Sequence, residues 1–330
     1  MKSILITGAN GFIGSFLVAE AVNKNYDVYA GIRKTSDVSS ISKFPIHFLE
    51  LDLADKEALK SIFNELPPFD YVIHNAGITK TCKKEEFDKV IFKNTQNLIL
   101  ALIETGKVPE KFVYMSSLAA YGPGSEDKPV KAATDKPNPV SMYGQSKLKS
   151  EGFIKSLKDF PYLIFRPTGV YGPREKDYYV MYKNIKLGLE TYVGTKKQRL
   201  SFLYVKDLAD LIISSLETDV VNKSYFVSDL KEYTAEQFSQ IVKDKLGRKT
   251  ISLVFPKKLV KILAVISEKT ACLLTGKPPT LNTDKYTELI QKSWLCDSSD
   301  LVRDFNFKPQ YDLKKGIDET IEWYKNQKLL

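Results

Sequence analysis

The segment Ile4-Leu5-Ile6-Thr7-Gly8-Ala9-Asn10-Gly11-Phe12-Ile13-Gly14 constrains this chain more than any other. Ile4 to Ile6 is a short apolar run that reads as a buried strand. Three glycines at a spacing of three follow, and Ser15 to Val22 continues as a helix. A strand, a glycine turn and a helix start together form a phosphate site. Glycine lets backbone come close to a ligand, and the free N–H groups of the first helical turn attract negative charge. The spacing is G-x-x-G-x-x-G, one residue longer in its first gap than the usual dinucleotide fingerprint.

The rest of the first half repeats the same unit. Asp27 to Ile32, Ile46 to Leu51, Tyr71 to His74, Lys111 to Met115 and Tyr162 to Arg166 read as strands. Helical stretches at Lys56–Leu66, Glu85–Glu104 and from Tyr143 to about Lys158 separate them. This alternation specifies an α/β, Rossmann-type, doubly wound parallel sheet, with ligands off the carboxyl ends of the strands. Gly8, Arg33, Asp52, Ala76 and Ser117 all fall at such ends. After Arg166 the alternation stops. Residues 1–168 are assigned to the dinucleotide domain, with 200–228 expected to return to it. Residues 169–199 and 229–330 are assigned to a smaller, mostly helical C-terminal substrate lobe. Thr234 opens one of its helices with a capping arrangement through Gln237.

The second strand ends in Arg33-Lys34, and no acid follows before Asp37. An acid there would take a ribose hydroxyl, whereas an arginine suits a 2′-phosphate. The pair is either the mark of NADP or two solvated loop cations. Tyr143 and Lys147 are four apart and share one helix face, where a cation can stabilise a phenolate. Alone the spacing is a common accident, and an ordinary surface pair is the better reading of it.

Composition excludes several classes. The net charge of +9, from 49 Lys and Arg against 40 Asp and Glu, is spread along the chain and accompanies no nucleic-acid module. The cysteines Cys82, Cys272 and Cys296 lie far apart, lack metal spacing, and are expected as reduced thiols of a cytoplasmic protein. His47 and His74 sit in strand-like settings, and no metal is expected. No run reaches the ~18 apolar residues of a membrane span, and no leader segment is read at the start. Leu259 to Leu274 is the one long apolar helical stretch. It reads as a helix packed inside the small lobe, or else as a pocket wall whose surface touches lipid beside Lys257, Lys258 and Lys261.

Taken together the motifs resemble the extended short-chain dehydrogenase/reductase family, the superfamily of NAD-dependent epimerases and dehydratases. The matching pieces are Thr7 to Gly14, Asp52-Leu53, His74-Asn75-Ala76-Gly77, Met115-Ser116-Ser117 with Tyr121-Gly122, Tyr143-x-x-x-Lys147, Arg166-Pro167-x-x-x-Tyr171-Gly172-Pro173, and Phe202-x-Tyr204-Val205-x-Asp207. The resemblance implies that Gly8, Gly11 and Gly14 cradle a pyrophosphate and that Asp52 and Leu53 contact adenine. Asn10, Phe12, Ile13, Arg33, Lys34, Asn75, Ala76, Gly77, Pro167, Gly169 and Val170 would line the rest of the cofactor site, joined by Tyr143 and Lys147. It implies a catalytic trio of Ser117, Tyr143 and Lys147, with Ser116 the alternative serine. Tyr143 would pass a proton to or from the substrate oxygen, Ser117 would hydrogen-bond that oxygen, and Lys147 would hold the ribose and keep Tyr143 acidic.

Two places depart from the family. Ile91 and Asn94 stand where a relay asparagine and a glycine are usual. Gly169 stands where sugar-nucleotide enzymes often carry asparagine, which resembles the branch of dihydroflavonol reductases and 3β-hydroxysteroid dehydrogenases. The leading expectation is an NADP-preferring, or else NAD-using, oxidoreductase for a carbonyl or secondary alcohol of a moderately apolar small molecule. The alternatives are a nucleotide-sugar epimerase or dehydratase with tightly held NAD, and a non-catalytic binder. A homodimer and a weak peripheral membrane contact stay open.

Overall fold

The computed structural model describes residues 1–330. Seven strands form one parallel sheet in the order Lys223–Val227, Tyr162–Pro167, Lys111–Met115, Tyr71–His74, Ser3–Thr7, Asp27–Ile32, His47–Glu50. The chain thus starts in the middle, winds to one edge and then to the other. That reversal leaves a crevice at the carboxyl ends beside Ser3–Thr7.

The continuous apolar strands follow from burial on both faces. Ile4, Ile6, Ile73 and Val113 point to a core completed by Leu17 and Val18 of helix Phe12–Asn23 and by Leu208 and Ile212 of helix Val205–Ser215. Leu5, Val72, Phe112 and Tyr114 point the other way, onto Leu59, Phe63, Leu98 and Ile154. Helix Lys56–Glu65 starts on Asp55, whose carboxylate accepts from Ala58 N–H at 3.0 Å.

The segment read as one helix from Glu85 is helical to Glu104, but Asp88–Lys93 is wound as a π-turn. That wide turn spans Ile91 and adjoins Asn94, the two positions that depart from the family pattern.

The second half combines helices with short strands. Strand Gly169–Tyr171 pairs with Phe202–Tyr204 outside the main sheet. Of the 200–228 segment, it is Lys223–Val227 that joins the main sheet, together with the helix before it, while Phe202–Tyr204 does not. Phe202–Tyr204 pairs instead with Gly169–Tyr171, which follows directly on the last sheet contact of strand Tyr162–Pro167, from Thr168 N–H to Val227 O at 3.0 Å. A cluster of rings, Tyr171, Tyr182, Phe202, Tyr204, Phe238 and Tyr324, forms the core of this lobe. Residues 229–330 do not stay there as one piece, because Leu301 and Phe307 pack into the first core beside the sheet. The capping box at Thr234 and Gln237 is present in both directions.

The expectation of three reduced thiols fails. Cys82 and Cys272 form a disulfide across 190 residues, and Cys296 alone is free. Their separation in sequence hides that the loop after Gly77 meets helix Lys257–Thr275 in space. No helix is long and apolar enough to cross a membrane.

Candidate active site

At the centre of the crevice the glycine turn is packed against its own helix. A Cβ on Gly14 would lie 2.1 Å from Gly8 O, so no other residue fits without opening the turn. Ser15 N–H donates to Gly11 O at 3.1 Å, while the first-turn amides of Phe12, Ile13 and Gly14 have no acceptor within the helix. This cradle of open amides fits a diphosphate. Ala76 N–H donates to Thr7 Oγ1 at 3.2 Å, and Asn75 Nδ2 donates to Gly8 O at 3.5 Å, which ties the next strand end to the turn. Asn10 Nδ2 donates to Asp37 O at 3.2 Å.

Farther along the same ends, Asp52 is exposed and its carboxylate accepts from Ala54 N–H at 3.0 Å. Asn97 Nδ2 donates to Leu53 O at 3.1 Å and holds that loop. Arg33 and Lys34 are exposed and unpaired with any carboxylate, so their charges are available at the outer end of the crevice. Arg174 reaches back to Ser15 Oγ and lies 5.1 Å over the Phe16 ring. Pro167 is buried, and Gly169 and Val170 carry the chain past the crevice.

The opposite end of the crevice holds Ser117, Tyr143 and Lys147. Ser141 begins the helix Met142–Ser156 by accepting from Gly144 N–H at 3.1 Å. A Cβ on Gly144 would come within 2.2 Å of Ala119 O, so glycine there lets this helix sit against the turn that Ser117 caps. That close approach brings Tyr143 to Ser117. Ser117 Oγ accepts from Ala119 N–H at 3.1 Å, and its hydroxyl meets the Tyr143 phenol. Ser116 is different, because its hydroxyl donates to Glu151 Oε1 at 2.6 Å inside the protein. The geometry therefore favours Ser117 as the serine that meets a ligand.

Burial pushes the Tyr143 phenol up to about 12, and the Glu288 charge adds to this. A hydrogen bond with Ser117 and the Lys285 charge act in the other direction. The Lys147 ammonium donates to Met115 O at 2.6 Å and sits 4.8 Å over the Tyr114 ring. Burial lowers it to about 8, partly offset by Glu151. Gly77 adjoins it, with a Cβ there 3.7 Å from Lys147 Nζ.

A second helix, Thr283–Leu289, covers the start of the Tyr143 helix. Asp284 accepts from Met142 N–H at 2.7 Å, and Ser141 Oγ donates to Glu288 Oε1 at 2.8 Å. Lys285 pairs with Glu288 at 3.3 Å. These groups lie some 140 residues beyond Tyr143, and no local motif announces them.

Behind the trio, His74 is wholly buried. Its Nδ1 meets Thr7 Oγ1 at 2.8 Å and its Nε2 meets Thr95 Oγ1 at 3.0 Å, so both ring nitrogens are occupied. Burial, and then the Lys147 charge, lower it to about 3. The unfolded chain takes up this proton near pH 6.5 while the fold refuses it, so stability is full above pH 6.5 and is lost as pH falls toward 3. Over that window wild-type unfolding free energy should fall about 1.4 kcal/mol more per pH unit than that of His74→Gln. Urea titrations at several pH values check this, and equal slopes would mean that the imidazole is protonated inside the fold.

The model of the NAD dependent epimerase/dehydratase family matches residues 4–227. The chain belongs to this family. Across 98% of its length it is 25% identical to the dTDP-D-glucose 4,6-dehydratase of Mus musculus, covering 89% of that protein. It is 23% identical to the ceramide reductase of Caulobacter vibrioides, again over 98% of this chain and 94% of the relative. The fold matches the dTDP-glucose 4,6-dehydratase of Bacillus anthracis in complex with NAD, with a TM-score of 0.79, 19% identity, and coverage of 99% of this chain and 98% of the other.

Proposed function

We propose that this family member is an oxidoreductase that reduces a carbonyl, or oxidises a secondary alcohol, of a moderately apolar small molecule, with NADP as its preferred cofactor. The observation that carries the substrate class lies at Gly169. A Cβ there would stand 2.3 Å from the Tyr178 hydroxyl, so this ring already fills the place where an asparagine side chain would go. Tyr178 in turn stacks on Phe238 and meets Phe202 edge-on, which makes that wall aromatic. A diphosphate pressed against it would find the Tyr178 hydroxyl but no side-chain amide, and would lose more water than those contacts replace, at a cost of several kcal/mol by order of magnitude.

When bound, the nicotinamide supplies or accepts a hydride. The chain's own part is proton transfer and orientation. Tyr143, protonated at neutral pH, donates its phenolic hydrogen to the substrate oxygen. Ser117, whose hydroxyl lies beside the Tyr143 phenol, donates a second hydrogen bond to the same oxygen. Lys147, still charged near pH 7, provides a cation at the ribose side. Removal of water from a sugar would need a further free acid or base. Asp284 and Glu288, the carboxylates beside Tyr143, are already engaged by backbone N–H groups, Ser141 and Lys285.

The resemblance to named dehydratases supports a second reading, a nucleotide-sugar enzyme that retains NAD. Titration with dTDP- and UDP-sugars separates the two. Absence of binding is expected, and a Kd below roughly 100 micromolar, near −5.5 kcal/mol, would favour the second reading.

The cofactor preference rests on Arg33. A guanidinium and a 2′-phosphate form charge-assisted hydrogen bonds that a bare ribose cannot offer. Calorimetry should find NADP⁺ bound about tenfold or more tighter than NAD⁺, and Arg33→Asp should reverse the order. Tighter NAD⁺ binding by the wild type would refute the assignment.

A further inference from the structure

The helix Lys257–Thr275 is 19 residues long, yet only Val260 and Ala264 are buried. The reading of this stretch as a packed helix is therefore met along one edge alone. That edge is fixed firmly. Lys257 Nζ donates to Ile290 O at 2.8 Å, Glu268 accepts from Thr283 N–H at 2.7 Å, and Cys272 is bonded to Cys82.

On the far side the apolar residues face solvent. Leu259, Ile262, Leu263 and Ile266 are each about half exposed, and Leu273 and Leu274 are 85% and 80% exposed. At 3.6 residues per turn these six side chains fall within an arc of roughly 120°, which leaves out the buried Val260 and Ala264. Lys258 and Lys269 border one edge of the arc, and Lys261 and Lys277 are exposed nearby. The helix has a single acid, Glu268, and it is turned inward to Thr283.

We propose that this helix face docks on the surface of an anionic phospholipid bilayer, lying in the plane of the interface. An apolar stripe edged by lysines, with no exposed acid, suits acyl chains beneath phosphate headgroups. It suits a second copy of this chain poorly. A two-fold contact brings a face against itself, so the lysine border would meet like charge with no carboxylate to neutralise it. The net charge of +9 adds general attraction to an anionic surface. The docking does not depend on which reaction the site performs. It does place the bilayer near the site, since the same helix is bonded through Cys272 to the loop after Gly77 and leads into the helix that covers Tyr143.

The test uses the full chain with sedimented vesicles of phosphatidylcholine alone, or of phosphatidylcholine and phosphatidylserine in equal parts. Binding to the phosphatidylserine vesicles should be about tenfold stronger and should weaken with salt. Ile262→Glu with Ile266→Glu should abolish it while leaving the melting curve unchanged, because both residues are exposed. Lys258→Glu with Lys269→Glu should remove the preference for phosphatidylserine. No binding by the wild type would overturn the proposal, as would equal binding by the double glutamate variant. A wild-type dimer that the Ile262 and Ile266 changes convert to monomer, with no vesicle binding, would assign the face to a second copy instead.

Discussion

Tyr143→Phe should lose at least ~10²-fold in kcat while its affinity for the cofactor stays near that of the wild type. The change removes one hydroxyl and keeps the ring, so the edge-on contact with Phe87, at 6.3 Å between centroids, survives. What disappears is the proton that the substrate oxygen must receive. A burial-raised phenol makes the reductive direction the favourable one to assay, since the group stays protonated through neutral pH. Steady-state kinetics with a responsive carbonyl substrate and cofactor titration by fluorescence check the two halves separately. Wild-type turnover in the variant would remove Tyr143 from the chemistry. Loss of cofactor binding would instead make its role positional.

The largest effect on stability should come from Glu151→Ala. Glu151 and Arg166 are both about 1% exposed, with contacts of 2.6 to 3.1 Å from Arg166 Nε and Nη2 to the carboxylate. Ser116 Oγ completes the network at 2.6 Å, and the guanidinium is stacked 4.2 Å over Tyr121. Removing the carboxylate leaves a charge in the interior with nothing to neutralise it, a loss of about 3–5 kcal/mol. Glu151 also partly offsets the burial that lowers Lys147. The variant's Lys147 should therefore lose its proton at a still lower pH, one turn of helix from Tyr143. Denaturant melts measure the first effect. A loss below about 1 kcal/mol would mean that water or a neighbouring group reaches Arg166.

The sheet was legible because its signal is local. The inner strands are apolar runs bounded by turn formers, because burial on both faces demands such runs, while the edge strand His47–Glu50 is largely exposed. The glycine turn was equally plain, as Gly14 has no room for a side chain. What stayed hidden was mostly long-range. Nothing near Cys82 points to Cys272, and nothing near Tyr143 points to Asp284, Lys285 or Glu288. Their meeting depends on how the second lobe folds back over the first. Gly144 shows the intermediate case. It reads in sequence as an ordinary residue between Tyr143 and Lys147, and only its 2.2 Å approach to Ala119 O reveals why the helix can seat Tyr143 beside Ser117. Lys147 shows the same limit: spacing of four put it on the face of Tyr143, but the contacts of its ammonium with the Met115 carbonyl and the Tyr114 ring come from elements distant in sequence.

The central claim is that the Ser117, Tyr143 and Lys147 end of the crevice serves hydride exchange with an apolar carbonyl compound. The most direct measurement incubates purified protein with NADPH and a panel of long-chain and polycyclic ketones, following loss of the reduced cofactor and formation of the alcohol together. The account predicts one alcohol formed for each NADPH consumed, and no turnover of dTDP- or UDP-sugars. NADPH left intact by every ketone, together with NAD retained through purification and a nucleotide sugar converted without net redox change, would contradict it.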